Sequence, residues 1–129
     1  MGSMTSLSHV VLLALAGAAG TLLRAGCTAL AIRLAGVGFP WGTLGVNVAG
    51  SLAFGVLAGL ARSRGLLGPA QESILLVGLL GGFTTYSSFA FQTVELLSAG
   101  RPVAAAAYVL ATNAAALAAV WAGLRLGGG

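Results

Sequence analysis

The chain has 129 residues, of which 58% are hydrophobic and only 6% are charged. Soluble domains carry roughly 25% charged residues, so six basic and two acidic side chains cannot solvate a compact protein of this size. This excludes a soluble enzyme, and the high hydrophobicity excludes a disordered chain. The basic residues are all arginines spread along the chain, which leaves no basic patch for nucleic acid. We therefore predict an all-α membrane protein with a single domain over residues 1–129.

Four apolar windows are long enough to cross a bilayer. A transmembrane helix needs about 20 predominantly apolar residues, and such windows lie at about 10–34, 41–61, 70–97 and 102–126. Pro69 and Pro102 stand at the starts of the third and fourth windows, where proline suits the first helical turn because no backbone donor is lost. Residues 1–3 precede a second methionine, Met4, and are interpreted as a vector remnant. We expect the first window to be a retained span, since it is too long for a signal peptide and contains Arg24.

The charged loop residues bear on orientation. With four spans, Arg62, Arg64 and Arg125 lie on one side of the membrane, and Arg33 and Arg101 lie on the other. Positive charge in short loops sets orientation, and three arginines against two are a weak bias. This balance favours insertion in both orientations and an antiparallel two-fold homodimer. A fixed orientation stays open at this point, because short loops give small counts.

Few residues in the spans carry chemistry. The lone Cys27 excludes an internal disulfide, and His9 has no partner for a metal. Both carboxylates, Glu72 and Glu95, belong to the third window, near its two ends. A proton-coupled antiporter normally needs a carboxylate within the membrane, so their placement counts against that class. Arg24 is either an anchor among lipid phosphates or a fixed positive charge that attracts anions toward a vestibule.

Asn47 and the third window are the most unusual features. Asn47 either bonds to a neighbouring helix or lines a wet path. In residues 78–89, Gly81-Gly82 followed by β-branched and hydroxyl residues is poor helix material, which predicts a break in mid-membrane. Irregular backbone there must lie inside protein or beside water, where free carbonyls bind a small cation and free donors bind an anion. Tyr86 and Phe89, three residues apart, are either core aromatics or electropositive ring edges that line an anion path.

The fourth window places two hydroxyl residues one turn apart. Tyr108 and Thr112 share one face of the helix, with Asn113 beside them, whereas position 116, a further turn along, is alanine. These hydroxyls form either a short ladder of donors or bonds back to their own helix.

Taken together, the motifs GTLLR at 20–24, GTLGVN at 42–47 and GGFTTYSSF at 81–89 resemble the CrcB/Fluc family of small fluoride channels. The four-span layout matches over essentially the whole chain. The resemblance implies a dual-topology antiparallel dimer with two pores, which exports fluoride across the plasma membrane of a prokaryote. It also implies a structural Na⁺ at the dimer centre, held by the backbone carbonyls of Gly81 and Thr84 from both subunits. The pore residues that it implies are Asn47, Tyr86, Ser88, Phe89, Tyr108 and Thr112.

This chain departs from the family pattern at three positions. Tyr86 replaces the usual Phe, Ala116 replaces a hydroxyl residue, and Gln92 stands where an acid is common. The mechanism implied is passive conduction, in which Asn47, hydroxyls and aromatic edges replace the water around fluoride. Two other functions compete with it: a small four-helix dual-topology multidrug antiporter, and a non-transporting subunit of a larger membrane complex.

Overall fold

The structure is a computed structural model that describes residues 6–128 and is helical almost throughout. The predicted vector remnant at 1–3 lies outside the described residues. Helix α1 is Leu7–Ala35, and helix α2 is Trp41–Arg64. The third span, Pro69–Ser98, is divided into α3, residues 69–83, and α4, Tyr86–Ser98; helix α5 is Pro102–Gly128. The prediction of four helices long and apolar enough to span a membrane is confirmed.

The third span is broken midway, as predicted, but the break lies just after the glycine pair. Gly81 and Gly82 remain helical, and the extended residues are Thr84 and Thr85, with ψ of 160° and 116°. Threonine is β-branched and favours extended backbone. The segment Ser73–Leu80 of α3 is a π-helix, a rare and wider form of the helix. The break therefore follows a loosely wound segment and falls on the residues least suited to continue it.

Short turns close the ends of the helices. Gly36, Gly65 and Gly100 have φ of 79°, 58° and 70°, a left-handed backbone that glycine adopts without a steric penalty. Pro69 and Pro102 occupy the first positions of α3 and α5. These turns leave room for little besides the four spans.

Glycine faces join the helices into two parallel pairs. In each pair, a Cβ added at one helix would overlap the backbone of the other, so the two backbones are in contact. Helix α1 packs on α3, and α2 packs on α5; the glycines at these contacts are Gly17, Gly20, Gly78 and Gly82 in the first pair, and Gly55, Gly59, Gly123 and Gly127 in the second. Their pairings rise together in sequence, 55 with 123 and 59 with 127, which is the signature of parallel helices.

The break allows the third span to change neighbours. Helix α3 lies against α1, whereas α4 turns toward α5, where the rings of Phe89 and Tyr108 are 5.1 Å apart. At the end of α4, a guanidinium nitrogen of Arg101 donates to the carbonyl of Gly38. This bond joins the α1–α2 loop to the α4–α5 turn on one side of the molecule.

A single copy leaves most of its large apolar side chains exposed. Only 6% of the apolar window of α1 is buried, and Leu22, Val77 and Leu117 are among the exposed residues. This surface is suited to hydrocarbon or to another protein, which is the expected state of a membrane-spanning chain. The antiparallel dimer remains a prediction at this point.

The close contact between α2 and α5 leads to a prediction about the stability of the protein. We expect Gly55→Ala to destabilise the protein by about 1–3 kcal/mol, because the added Cβ would press on the backbone carbonyl of Val120 and on Gly123. Gly45→Ala, in the same helix, is the matched control, since a Cβ there meets nothing within 4 Å. Thermal unfolding in detergent measures both variants, and equal midpoints for the two would contradict the packing described.

Candidate functional site

The side-chain amide of Asn47 holds the backbone of the broken span. Its Nδ2 donates to the carbonyl of Thr85 at 3.0 Å, and its Oδ1 accepts from the Thr85 N–H at 2.8 Å. These two bonds satisfy backbone groups that the break releases from the helix. Asn47 thus makes the interhelical bonds that were one of its two predicted uses. One N–H of its Nδ2 is left over, and the residue lines a cavity beside the break.

Arg24 holds the other side of the break. Its Nε donates to the carbonyl of Gly82 at 3.1 Å, which joins α1 to the last turn of α3. Arg24 is partly buried. It lines a cavity together with several residues that carry hydroxyls. The anchor that it provides is to a neighbouring helix, and the remaining guanidinium N–H groups are available to an anion.

Three carbonyls at the break accept none of the turn and loop hydrogen bonds found among the described residues: those of Gly81, Phe83 and Thr84, of which Gly81 and Thr84 are the predicted Na⁺ ligands. By contrast, the carbonyl of Leu80 accepts from both the backbone N–H and the hydroxyl of Thr84. Carbonyl oxygens are the ligands that hard cations take from protein backbone. The donor set therefore fits a cation such as Na⁺, provided that further oxygens complete its coordination.

A first cavity, of about 390 Å³, lies between α2, the break and α5, and we call it the aromatic cavity. Its lining residues are Asn47, Gly50, Ser51, Phe54, Thr84, Thr85, Tyr86, Phe89, Thr112, Asn113, Ala116, Leu117 and Val120. The rings of Tyr86 and Phe89 are 5.6 Å apart and tilted by 56°. Phe89 is buried, whereas Tyr86 is 79% exposed. The cavity is therefore open on the side where Tyr86 stands.

The hydroxyls of α5 have two different environments. Tyr108 is fully buried, and its hydroxyl donates to Oε1 of Gln92 at 2.8 Å. Thr112 is 7% exposed, and its hydroxyl has no hydrogen-bond partner within the described residues. A buried hydroxyl without a partner costs free energy, so the Thr112 hydroxyl is the group in this cavity most in need of a ligand.

A second cavity, of about 430 Å³, lies on the opposite side of α4, and we call it the Arg24 cavity. It is lined by Thr21, Arg24, Ala25, Thr28, Ala29, Ile32, Thr43, Thr85, Ser88 and Gln92. Five of these carry hydroxyls, and none of these described residues is acidic. A positive charge among neutral donors is the electrostatic environment of an anion site.

A third cavity opens at the end of the bundle where Arg101 lies. It has a volume of about 400 Å³ and shares four lining residues with the Arg24 cavity: Thr28, Ile32, Thr43 and Gln92. Glu95 lines it as well, close to the end of α4. The two polar cavities therefore adjoin and lead from this end of the molecule toward the break.

The predicted site residues are not all brought together. Four of them line the aromatic cavity, namely Asn47, Tyr86, Phe89 and Thr112. Ser88 lines the Arg24 cavity on the other face of α4, and Tyr108 packs against Phe89 without lining either cavity. Thr85 borders both cavities and is the residue that they share.

Sequence reasoning did not assign a role to the hydroxyls that accompany Arg24. Thr21, Arg24 and Thr28 follow each other at intervals of three and four, which places them on one face of α1. A polar stripe of that kind in an apolar helix was a usable signal. Thr43 carries no such signal, because only the packing of α2 against α4 brings it to the Arg24 cavity.

Comparison with known proteins gives this architecture a family. Residues 11–124 match the family model described as "CrcB-like protein, Camphor Resistance (CrcB)". The chain belongs to this CrcB family. Curated relatives of the chain carry the name "Fluoride-specific ion channel FluC". The one from Paracoccus denitrificans is 50% identical over 90% of this chain and 91% of its own length.

Other relatives of the same name cover as much of the chain. The protein from Agrobacterium fabrum is 42% identical over 92% of this chain and 95% of its own length. The one from Nitratidesulfovibrio vulgaris is also 42% identical, over 94% of this chain and 98% of its own length. These CrcB relatives are named as ion channels and come from bacteria, so the chain is a multi-pass membrane protein of a channel family and is not an enzyme.

The bonds of Asn47 lead to a prediction about the break. We expect Asn47→Leu to lower the free energy of unfolding by about 1 kcal/mol, a typical worth of a polar contact between membrane helices. We also expect amide exchange at Thr85 to accelerate, since its N–H would lose its only acceptor among the described residues. Hydrogen exchange measured by mass spectrometry on peptides that span 84–89 tests this, with Ser51→Ala as the control one turn away. Unchanged amide exchange at Thr85 would contradict the role of these two hydrogen bonds.

Proposed function

We propose that the chain is a fluoride-selective, passive ion channel that lets fluoride leave the cytoplasm of a prokaryote across the plasma membrane. One observation carries the proposal. In a member of the CrcB family, Asn47, Tyr86, Phe89 and Thr112 line a single cavity at the helix break. The name of the relatives, fluoride-specific ion channel, supplies the ion.

The chemistry of the aromatic cavity supports a small anion. Fluoride is strongly hydrated, so a pore must replace its water with donors. The free N–H of Asn47 and the unpartnered hydroxyl of Thr112 are such donors. The edges of the Phe89 and Tyr86 rings add a weak positive potential. Because these groups are neutral, they stabilise the ion without trapping it, and conduction needs both entry and exit.

The Arg24 cavity is suited to be the vestibule of this path. Its guanidinium raises the local concentration of anions, and its hydroxyls offer first contacts that share the hydration of the ion. From there, Thr85 borders the aromatic cavity as well, so an ion passing this residue goes from a charged environment to a neutral one. Flow is driven only by the electrochemical gradient of fluoride, which suits export without an energy source.

A second, antiparallel copy completes the pore in this proposal. Tyr86 stands in mid-membrane yet is 79% exposed, and the aromatic cavity opens beside it. Polar groups at that depth need protein or water beside them. A partner related by a two-fold axis would cover the cavity twice, which gives two pores per dimer. The weak charge bias of the loops supports insertion in both orientations.

The carbonyls of Gly81 and Thr84, from both copies, would hold a structural Na⁺ at the centre of this dimer. Two carbonyls from each copy give four oxygens, and neither carbonyl accepts any of the turn and loop hydrogen bonds found among the described residues. A bound cation supplies the positive charge that offsets carbonyls pointing at one another. No residue with a titratable side chain is needed for this site.

Flux from liposomes tests the proposal. We expect vesicles loaded with fluoride to release it rapidly when valinomycin carries K⁺, and to retain chloride under the same conditions. Proton-coupled drug uptake would support the antiporter instead, and no transport at all would support the non-transporting subunit.

A pair of variants tests the path itself. Phe89→Ile is expected to slow fluoride release by about tenfold or more while the dimer stays intact, because an aliphatic side chain has no electropositive edge. Phe91→Ile is the matched control, since Phe91 belongs to the same helix but is 64% exposed and lines neither cavity beside the break. Release at the wild-type rate from Phe89→Ile would remove this ring from the pore.

Removal of sodium tests the central cation. In a medium with N-methylglucamine in place of Na⁺, we expect the dimer to dissociate more readily, because the facing carbonyls would repel one another. Native mass spectrometry across a Na⁺ titration measures the fraction of dimer. A dimer equally stable without Na⁺ would contradict the assignment of Gly81 and Thr84.

A further inference from the structure

Five aromatic side chains form a continuous row from the α1–α2 loop to the break in the third span. The distances between successive ring centroids are 4.6, 5.4, 5.1 and 5.6 Å, and the rings in order are Trp41, Phe39, Tyr108, Phe89 and Tyr86. Aromatic pairs attract one another at centroid distances of about 4.5–7 Å. Each ring therefore supports the next, from the end of the bundle to the aromatic cavity.

Tyr108 is the fixed member of this row. It is fully buried, and its hydroxyl donates to Oε1 of Gln92 at 2.8 Å. The ring of Phe39 meets it at 84°, an edge-to-face arrangement, and the ring of Phe89 packs against it at 52°. Because its hydroxyl is bonded and its ring has a neighbour at each contact, Tyr108 cannot turn without losing one of these interactions. The orientation of Tyr108 thus decides the surface on which Phe89 rests.

The loop that carries Phe39 is fastened to the rest of the molecule. Phe39 is half-buried and packs against the core cluster of α4 and α5. The carbonyl of the preceding residue, Gly38, accepts from the guanidinium of Arg101 in the α4–α5 turn. The carbonyl of Phe39 itself accepts from the N–H of Trp41 at 2.8 Å. Both bonds hold the backbone beside the ring, so the ring stays against Tyr108.

We propose that Phe39 is a positioning residue of the channel: through Tyr108, it keeps the ring of Phe89 in the orientation that lines the aromatic cavity. This inference rests on the proposed function and deepens it. Phe39 lines the third cavity and not the aromatic cavity, so it acts on an ion in the aromatic cavity only through the other rings. A ring edge attracts an anion, whereas a ring face repels it. The orientation of Phe89 therefore matters to the ion, and a smaller side chain at 39 would leave space in which Tyr108 and Phe89 can turn.

Paired substitutions test whether Phe39 acts through Phe89. We expect Phe39→Leu to slow fluoride release from liposomes by about two- to tenfold, the equivalent of one aromatic contact. Phe39→Tyr keeps the ring and is expected to recover most of the lost rate. In the Phe89→Ile background, Phe39→Leu is expected to slow release no further, because residues that act through one another have non-additive effects. Phe91→Leu is the matched control, since that ring is 64% exposed and belongs to none of the four ring pairs.

Fluorine NMR follows the ring of Phe89 without any transport. With para-fluorophenylalanine at position 89, we expect the fluorine resonance to shift or broaden in Phe39→Leu and to return close to its wild-type form in Phe39→Tyr. An unchanged resonance in Phe39→Leu would overturn the inference. Where Phe89→Ile leaves too little release for the comparison of rates, this resonance decides.

The remaining outcomes separate the inference from the proposed function. Further slowing by Phe39→Leu in the Phe89→Ile background would overturn the inference in favour of an independent role in the third cavity. Loss of the dimer in Phe39→Leu, measured by cross-linking in the same liposomes, would overturn it in favour of a role in folding. Wild-type release from Phe39→Leu would overturn it directly and leave the channel function standing. A wild-type protein that releases no fluoride would overturn the proposed function, and the positioning of Phe89 by Phe39 would then be judged from the resonance alone.

Discussion

The pair of hydrogen bonds between the Asn47 amide and the Thr85 backbone is the interaction on which the rest of the site depends. A helix broken in a membrane exposes N–H and C=O groups that hydrocarbon cannot satisfy. The amide takes one of each from the same residue. Because these backbone groups are satisfied, Thr84 and Thr85 can stay extended. The third span can then pack against α1 before the break and against α5 after it. The cavities on either side of α4 exist because of this change of direction.

Close packing holds the two ends of the broken span in place. The contacts of Gly20 with Leu79 and of Gly82 with Gly17 leave α3 little freedom to slide along α1. Gly50 allows the backbone of α2 to come up to Thr84 itself. Arg24 then ties α1 to Gly82, the residue just before the end of α3. A break that is flexible in principle is therefore fixed by contacts from two directions.

Much of the fold could be predicted from sequence, because its signals are local. They are the length of each apolar window, the arginines that follow some of these windows, and the proline or glycine at the helix ends. Pro69 and Pro102 mark helix starts, and the glycine pair at 81 predicts the break to within a few residues. The exact position could not be predicted, since Gly82 packs against Gly17 of α1 and the glycine pair stays helical. The bond from Tyr108 to Gln92 was also beyond the sequence, because sixteen residues and a turn separate the two. The division of Ser88 and Phe89 between opposite cavities followed only once the direction of α4 was known.

The break has an electrostatic consequence of its own. An intact span has its partial charges at the two membrane surfaces, but here one helix ends and another begins in the interior. The carboxyl end of α3 carries about half a negative charge, and the amino end of α4 about half a positive charge. The first is met by Arg24, whose Nε binds the carbonyl of Gly82. The second lies at Thr85, which caps the 13-residue helix Tyr86–Ser98 and accepts from the N–H of Ser88. A single interruption thus brings both ends of a helix macrodipole to the centre of the bilayer. The chain can therefore attract a cation and an anion at neighbouring places there, although it has hardly any charged side chains at that depth.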